Sequence, residues 1–170
     1  MKTDFTIRQA QQSDAVELKE LFQNTVLVIN RRDYSQAEVE DWASCGNNLS
    51  NIKERIETHC FVVAVNQQSQ IVGFSSITPQ GYLHSMFVHK DFQGEGIATM
   101  LLEEIERYAI TAGITRITSE VSLTARPFFE KKGYVVEKEQ KRKANQLSLT
   151  NFLMAKEVAF LEYYNKKVTD

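Results

Sequence analysis

Apolar residues recur along this chain with two different periods, and the places where the period changes predict an alternation of strands and helices. Short β-branched runs and every-second-residue alternation are typical of strands, whereas an apolar residue every three to four positions is typical of an amphipathic helix. Strands are predicted over these segments: 5–8, 60–65, 70–77, 82–88, 114–121, 134–141 and 146–155. Helices are predicted over 37–44, 96–112 and 125–132, and over a stretch that Ser13 caps, with Leu18, Leu21, Phe22 and Val26 on its apolar face.

The order of these elements predicts an α+β fold with a mixed, mostly antiparallel sheet flanked by helices. Two early strands are joined by a short hairpin at 66–69, and a strand, helix, strand crossover is centred on 96–112. No glycine-, serine- or proline-rich stretch divides the 170 residues, of which 42% are hydrophobic. We therefore expect one domain with its own core.

Composition narrows the classes of partner and location. A formal charge of −2 disfavours broad nucleic-acid binding. No apolar run approaches the ~20 residues needed to span a bilayer, and the first residues lack an apolar signal segment, so we expect a soluble, cytoplasmic protein without membrane contact. Cys45 and Cys60 stand apart, which favours two free thiols over a disulfide or a metal site.

The segment Gln93-Gly94-Glu95-Gly96-Ile97-Ala98 carries the clearest chemical signal, because it places two glycines at the entry of the predicted helix 96–112. The first turn of a helix has unpaired backbone N–H groups and a partial positive charge, and glycines let a phosphate approach those donors. The segment therefore predicts a phosphate-bearing ligand, although glycine also has purely steric uses at a helix entry. It does not match a P-loop or a dinucleotide loop, since the Lys-Ser/Thr of the first and the third glycine of the second are missing.

What this segment resembles is the Gln/Arg-x-x-Gly-x-Gly/Ala signature of the Gcn5-related N-acetyltransferases (GNAT), with Gln93, Gly96 and Ala98 on the signature positions. About 30 residues further on, the length of one crossover unit, the segment from Ser122 to Tyr134 resembles the second conserved block of that family. Two blocks at the expected separation identify the chain as a member of the family.

The resemblance extends beyond these two blocks. Asp33 to Gln36, together with Trp42-Ala43, resembles the Tyr-Ser-x-x-Gln-x-x-x-Trp-Ala segment of one GNAT subgroup. Gln146 to Lys156 resembles the closing strand. In all, the resemblance covers residues 5–157.

The resemblance implies the acyl-CoA N-acyltransferase fold, with a GNAT domain over residues 1–156 and a C-terminal helical extension over 157–170. In that family the sheet splays between its fourth and fifth strands, which Val88 and Val121 border here, and the pantetheine arm of acetyl-CoA enters the gap. Acetyl-CoA is the expected cosubstrate, and no metal is expected. The implied cofactor-binding residues are Met86, Phe87, Val88, Gln93, Gly94, Glu95, Gly96, Ile97, Ala98, Thr99, Ser122 and Phe129.

The expected reaction is acetyl transfer to an amine, which needs a base because an alkyl amine has a pKa of about 10. His84 is the first candidate, since an imidazole that titrates near neutrality suits the task and some relatives carry a His-x-His pair at the positions of Tyr82 and His84. The alternative is a half-buried histidine with a structural role. Glu120, on the next strand, is the second candidate, unless it points at solvent.

Two further catalytic roles follow from the resemblance. The backbone N–H of Met86 is expected to polarise the thioester carbonyl. The family usually supplies a tyrosine that protonates the leaving thiolate, but Phe129 stands at that position here. Tyr82 is therefore the runner-up proton donor, with cross-strand aromatic packing as its alternative role.

Acceptor recognition is assigned to Tyr34 and Trp42, which fall in the segment that caps the acceptor pocket in the family. An acidic and aromatic lip would attract a cationic amine. We nevertheless interpret the acids of this segment, Glu38, Glu40 and Asp41, as a solvated helix face.

The expected function is N-acetyl transfer from acetyl-CoA to a small-molecule amine or to an amino group on a protein. A non-catalytic acyl-CoA-binding or sensor protein is the alternative, which Phe129 favours. A nucleotide-binding or phosphotransfer protein is disfavoured, because no Lys-Ser/Thr and no metal-binding acid pair are present. The tail, with Val158, Leu161, Tyr164 and Val168 at helical spacing, predicts either a homodimer contact or packing onto its own domain.

Overall fold

The computed structural model describes residues 4–158 and Val168. Its strands are β1 (Thr6–Gln9), β2 (Cys60–Val65), β3 (Ile71–Ile77), β4 (Leu83–Val88), β5 (Arg116–Ser122), β6 (Val135–Lys143) and β7 (Ser148–Glu157). Its α-helices are α1 (Ala15–Val28), α2 (Gln36–Ser44), α3 (Leu49–Thr58), α4 (Ile97–Thr111) and α5 (Arg126–Lys131).

The strands form two antiparallel sheets that meet at one end and separate at the other. One sheet has the order β1-β2-β3-β4, and the other has the order β5-β7-β6. They meet where Tyr82 forms a parallel bridge with Thr118, whose N–H donates to Gly81 O at 3.0 Å. Nearby, Ser119 Oγ donates to Leu83 O at 2.8 Å. No further β4 to β5 pairing is found among the described residues, which confirms the predicted split between the fourth and fifth strands.

Both faces of the first sheet are covered by helices, as the alternation of its side chains requires. Val62 and Ala64 of β2 point toward α4, whereas Phe61 and Val63 point toward α1 and α3. The contact with α4 is close at Gly73, where an added Cβ would lie 2.8 Å from Ile97 Cγ2. This glycine lets α4 lie directly on β3 and sets the height of the α4 N-terminus above the split.

Helices α1 and α2 cross the open end of the split and contact both sheets. Thr25 Oγ1 of α1 donates to Val88 O at 3.0 Å. From the segment before α2, the Tyr34 hydroxyl donates to Thr150 O at 2.6 Å and accepts from Leu123 N–H at 2.9 Å. Asp41 accepts three backbone N–H bonds from residues 145–147, the turn between β6 and β7. These contacts hold α2 on the second sheet.

The sequence prediction missed one helix and was wrong about the start of another. Helix α3 was not predicted, although Asn48 accepts from Ser50 N–H at its start and Ile52 is buried under it. Ser13 does not cap α1, because it lies inside a 3-10 turn (Gln12–Asp14) that precedes the helix. Asp14 closes that turn by accepting from Gln11 N–H at 2.7 Å.

The predicted helical extension over 157–170 lies outside the described residues, except for Glu157, Val158 and Val168. Glu157 is the last residue of β7, and Val158 is buried with its N–H donating to Thr115 O at 2.8 Å. Among the described residues, none of the helices combines the length and the apolar character that crossing a membrane requires.

Candidate active site

The split between β4 and β5 opens into a cavity of about 730 Å³. Its walls come from both sheets and from α1, α2, α3 and α4. The sequence-predicted site residues that line it are Tyr34, Trp42, Tyr82, His84, Met86, Phe87, Val88, Gln93, Gly94, Gly96, Ile97, Ala98, Thr99, Glu120, Ser122 and Phe129. Glu95 is the exception, since it is exposed and does not line the cavity.

One end of the cavity is formed by backbone. Gly94 and Gly96 have φ of +77° and +82°, and a Cβ at either position would find no heavy atom within 4 Å. Gly96 is the N-cap of α4, which has no capping side chain and no acid in its first turn. The first N–H groups of α4 are therefore left for a ligand, and the glycines keep the space in front of them open.

Gln93 stabilises this loop from within. Its Nε2 donates to Val88 O at 2.8 Å and to His89 O at 3.3 Å. The side chain thus connects the glycine loop to the end of β4, so the position of the α4 N-terminus depends on that strand.

The backbone of β4 presents a donor to the cavity at Met86. Residues of an antiparallel ladder alternate between pairs that bond across the ladder and pairs whose N–H groups point away. His89 N–H donates to Val72 O, and the register pairs Met86 with Ser75 three positions back. The Met86 N–H therefore points away from β3, toward the split, as its expected role requires.

His84 is exposed to the cavity, but protein surrounds the cavity on most sides. Its ring centre lies 5.7 Å from that of His59 and 6.0 Å from that of Tyr82. Desolvation, followed by the positive charge of Arg55 and by His59, lowers the pKa of His84 from 6.5 to about 4. The expectation that this imidazole titrates near neutrality is therefore wrong, because groups from α3 and the start of β2 surround it.

Tyr82 remains protonated at all ordinary pH values. Burial, with a smaller contribution from the Glu120 carboxylate, raises the pKa of Tyr82 to about 12. Its ring also packs edge-on against His84, so the residue has both a packing contact and an available proton.

Glu120 lines the cavity and forms an ion pair with Arg142, whose Nε donates to Glu120 Oε1 at 2.9 Å. Its side chain is partly exposed and pairs with a more exposed arginine, so it lies at the rim of the cavity.

Phe129 lies almost entirely in the core, with 2% of its surface exposed. Its ring packs edge to face against Phe128 and Tyr134, at 5.4 and 5.1 Å. The neighbouring phenol does not replace the missing tyrosine, because the Tyr134 hydroxyl donates to Glu106 at 3.1 Å. Phe129 nevertheless contributes to the wall of the cavity.

The other end of the cavity is formed by side chains. Tyr34 is 5% exposed, and its hydroxyl proton is committed to Thr150 O, so only its ring can contact a ligand. Trp42 packs edge-on between Tyr34 and Phe87. The acids of α2 do not line the cavity: Glu38 forms a capping box with Ser35, Glu40 accepts from Gln36, and Asp41 holds the β6 to β7 turn. These three acids therefore lie outside the cavity, in agreement with the solvated helix face that the sequence predicts.

Several cavity residues were not singled out from the sequence. Arg55 reaches the cavity from α3, the helix that was not predicted, and Arg142 reaches it from β6. Thr124, within the second conserved block, places a buried hydroxyl on the wall that has no hydrogen-bond partner among the described residues. Beside it, Ser122 Oγ accepts from Ala125 N–H at 3.1 Å. The amphipathic spacing of Leu49, Ile52 and Ile56 was the available signal for α3.

Comparison with known proteins gives a consistent result. The model of the acetyltransferase (GNAT) domain matches residues 30–157. A curated relative called "Uncharacterized N-acetyltransferase YafP", from Escherichia coli (strain K12), is 29% identical over 149 residues, which is 87% of this chain and 93% of that protein.

Two solved structures extend the comparison to the fold. A GCN5-related N-acetyltransferase from Rhodopseudomonas palustris superposes with a TM-score of 0.86 at 27% identity, covering 90% of this chain and 95% of that one. The PaiA N-acetyltransferase from Thermoplasma acidophilum, in complex with coenzyme A, has a TM-score of 0.74 at 19% identity over 90% and 98% of the two chains. Since the family model spans most of the sequence and the split sheet is the one that the family's motifs predict, this chain belongs to the GNAT family of acetyltransferases.

Proposed function

We propose that this chain transfers the acetyl group of acetyl-CoA to an amine by direct attack of the amine on the thioester. The observation that carries the proposal is a single continuous cavity. It joins the open N-terminus of α4 to the Met86 N–H and to His84. Within the family we assign the chain to the subgroup with the Tyr-Ser-x-x-Gln-x-x-x-Trp-Ala segment, in which Glu38 takes the place of the glutamine.

The cofactor end has the chemistry that a pyrophosphate needs. Backbone N–H groups at the start of α4 bind its oxygens, with Gly94 and Gly96 leaving room for close approach. The Met86 N–H then donates to the thioester carbonyl and stabilises the negative charge that develops on its oxygen. We include Val88, Ile97, Ala98, Thr99 and Ser122 in this site because they line the same wall.

His84 is the proposed base for the proton that the amine loses. A neutral imidazole with a pKa of about 4 does not deprotonate a free ammonium, whose pKa is about 10, so the amine enters as the minority neutral form. When its nitrogen bonds to the carbonyl carbon, the attached N–H becomes strongly acidic and its proton passes to His84. Burial keeps the imidazole unprotonated and ready for this step across the physiological range.

When the C–S bond breaks, its electron pair stays on the sulfur and CoA leaves as a thiolate. Tyr82, whose proton is retained by a pKa of about 12, is the proposed donor to that thiolate, with water as the alternative. Glu120, held by Arg142, is proposed to shape the acceptor end together with the rings of Tyr34 and Trp42.

The test is the release of free CoA thiol when acetyl-CoA is mixed with a panel of primary amines, with hydrolysis in the absence of amine as the control. Amine-dependent thiol release, together with the acetylated amine in the products, is expected. The second candidate function, a non-catalytic acyl-CoA sensor, is favoured by Phe129 alone. It predicts acetyl-CoA binding by calorimetry without amine-dependent release, and that result would overturn the transfer reaction.

A further inference from the structure

Arg55 is a cation in the cavity wall without a counter-ion. Its guanidinium forms no ion pair and no hydrogen bond with any of residues 4–158, although it is partly buried. The other arginines that line the cavity differ, since Arg142 is paired with Glu120 and Arg32 donates to Ile29 O. Desolvation lowers the pKa of Arg55, which shows that the charge is poorly hydrated where it stands.

The groups around Arg55 do not neutralise it. His59 and His84 lie beside it, and the proximity of the guanidinium lowers the pKa of both imidazoles. His59 Nδ1 is buried and also has no hydrogen-bond partner among the described residues. Glu54, the adjacent acid on α3, is exposed and does not line the cavity. The cavity wall therefore carries the positive charge of Arg55 close to the proposed base, with the His59 ring 5.7 Å from that of His84.

A partly buried charge without a partner is costly, and a ligand that supplies the opposite charge recovers that cost. Arginine presents N–H groups in a planar fork that matches the two oxygens of a carboxylate. A phosphate dianion is best bound by more than one free cation, but Arg142, the other guanidinium close to Tyr82, is already paired with Glu120.

The ligand in question is not the cofactor pyrophosphate. The glycine loop follows Val88, whereas Arg55 lies beside His84, four residues earlier on the same strand. A strand of four residues spans about 13 Å. Arg55 is therefore at the acceptor end of the cavity.

We propose that Arg55 binds a carboxylate of the acceptor, so that the acceptor is an amino acid or a similar compound whose carboxylate lies a few atoms from the reacting amine. The proposal rests on the acetyl-transfer function and names its substrate class. Because Arg55 adjoins His84, an acceptor bound in this way has its amine next to the base.

The experiment compares matched acceptors, each an amino acid with its decarboxylated amine, in the thiol-release assay. Wild-type kcat/KM is expected to be at least about tenfold higher for the carboxylate-bearing member, since a hydrogen-bonded charge pair has that order of effect. At a pH well above the acidic limb of the profile, Arg55→Gln should lower kcat/KM for the amino acid about 10- to 100-fold, mainly through KM, and should affect the decarboxylated amine far less. Lys53→Gln is the control, because it removes an exposed charge from the same helix.

A binding measurement separates this proposal from the transfer function. Calorimetry with N-acetyl amino acids and CoA should show binding that Arg55→Gln weakens and Lys53→Gln does not. If that holds but no amine releases thiol, the transfer function fails and the carboxylate site stands. Preference for the decarboxylated amines, an equal loss for both members of a pair in Arg55→Gln, or tighter Arg55-dependent binding of an aminoalkyl phosphate would each overturn the carboxylate assignment.

Discussion

The two ends of the cavity, for which we propose different ligands, are built from different groups. The cofactor end is made of backbone: the α4 N–H groups, the Met86 N–H and two glycines whose side-chain space is open. The acceptor end is made of side chains from α2, α3, β4 and β5, including Trp42, Arg55, His84 and Glu120. A binding site made of backbone groups is insensitive to most substitutions, whereas a site made of side chains changes with each one. One fold can therefore keep the same cofactor while its acceptor varies.

Removal of the proposed base, His84, should separate the two ends of the cavity most clearly and have the largest effect. We expect His84→Gln to lower kcat about 100-fold near neutral pH, while the affinity for acetyl-CoA, measured by calorimetry, stays the same. His89→Gln is the control, because His89 lies at the end of β4 outside the cavity. Full activity in His84→Gln would assign proton removal to Glu120 or to water.

The pH dependence of kcat in the wild type provides a second test of His84 as the base. Because the pKa of His84 is lowered to about 4, the acidic limb of the kcat profile should fall near pH 4 and not near 6.5. Arg55→Gln removes the neighbouring positive charge and should move that limb to higher pH. A limb near 6.5 in the wild type would mean that His84 is better hydrated than its surroundings indicate.

The next largest effect is expected at the backbone end. Gly96→Ala places a Cβ where the ligand approaches α4, and we expect it to weaken acetyl-CoA binding at least about tenfold. Gly113→Ala is a matched control: its φ is +78°, no heavy atom lies within 4 Å of the added Cβ, and it is outside the cavity. Both changes should cost about 1–2 kcal/mol of stability from the left-handed backbone. Equal cofactor affinity in the two variants would contradict the pyrophosphate site.

The pH dependence of the free energy of unfolding should also reflect His84, and the lowered pKa determines its direction. The unfolded histidine takes up a proton near pH 6.5, but the folded one does so only near pH 4. The unfolded state therefore binds more protons between these values, and stability declines as the pH falls from 6.5 to 4. The melting temperature of His84→Gln should decline less over this window than that of the wild type; parallel curves would contradict the prediction.

The smallest effect is expected from Phe129→Tyr. Although only 2% of the surface of Phe129 is exposed, the residue lines the cavity, so we expect the added hydroxyl to reach that space, with kcat within about threefold of the wild type and little loss of stability. A destabilisation of about 1–3 kcal/mol in chemical denaturation would show that the hydroxyl is sealed in the core. In that case Phe129 is a packing residue and the cofactor sulfur lies elsewhere.

The difference between the two ends also explains what the sequence could predict. The glycine loop and α4 were predictable because their signals are local: apolar spacing, glycines at a helix entry and a preceding strand. The split of the sheet followed from the family's motifs. The position of His84 on β4 was equally accessible.

What could not be predicted depends on contacts between distant segments. Burial, followed by the charges of Arg55 and His59, lowers the pKa of His84, and these two residues lie on or directly after α3, a helix that was not predicted. The ion pair of Glu120 comes from β6, and the engagement of the Tyr34 hydroxyl depends on Thr150 and Leu123. No local pattern specifies such pairings.

One of these contacts, made by the Tyr34 hydroxyl, joins segments from the two ends of the cavity. The Tyr34 hydroxyl joins the segment before α2 to Leu123, the residue after Ser122 on the cofactor side of the second sheet. The same oxygen donates to Thr150 O, so the segment before α2, strand β7 and the start of the loop that leads into α5 meet at one atom. Loss of this one hydroxyl would leave both the Thr150 carbonyl and the Leu123 N–H without their partner, on opposite sides of the same junction.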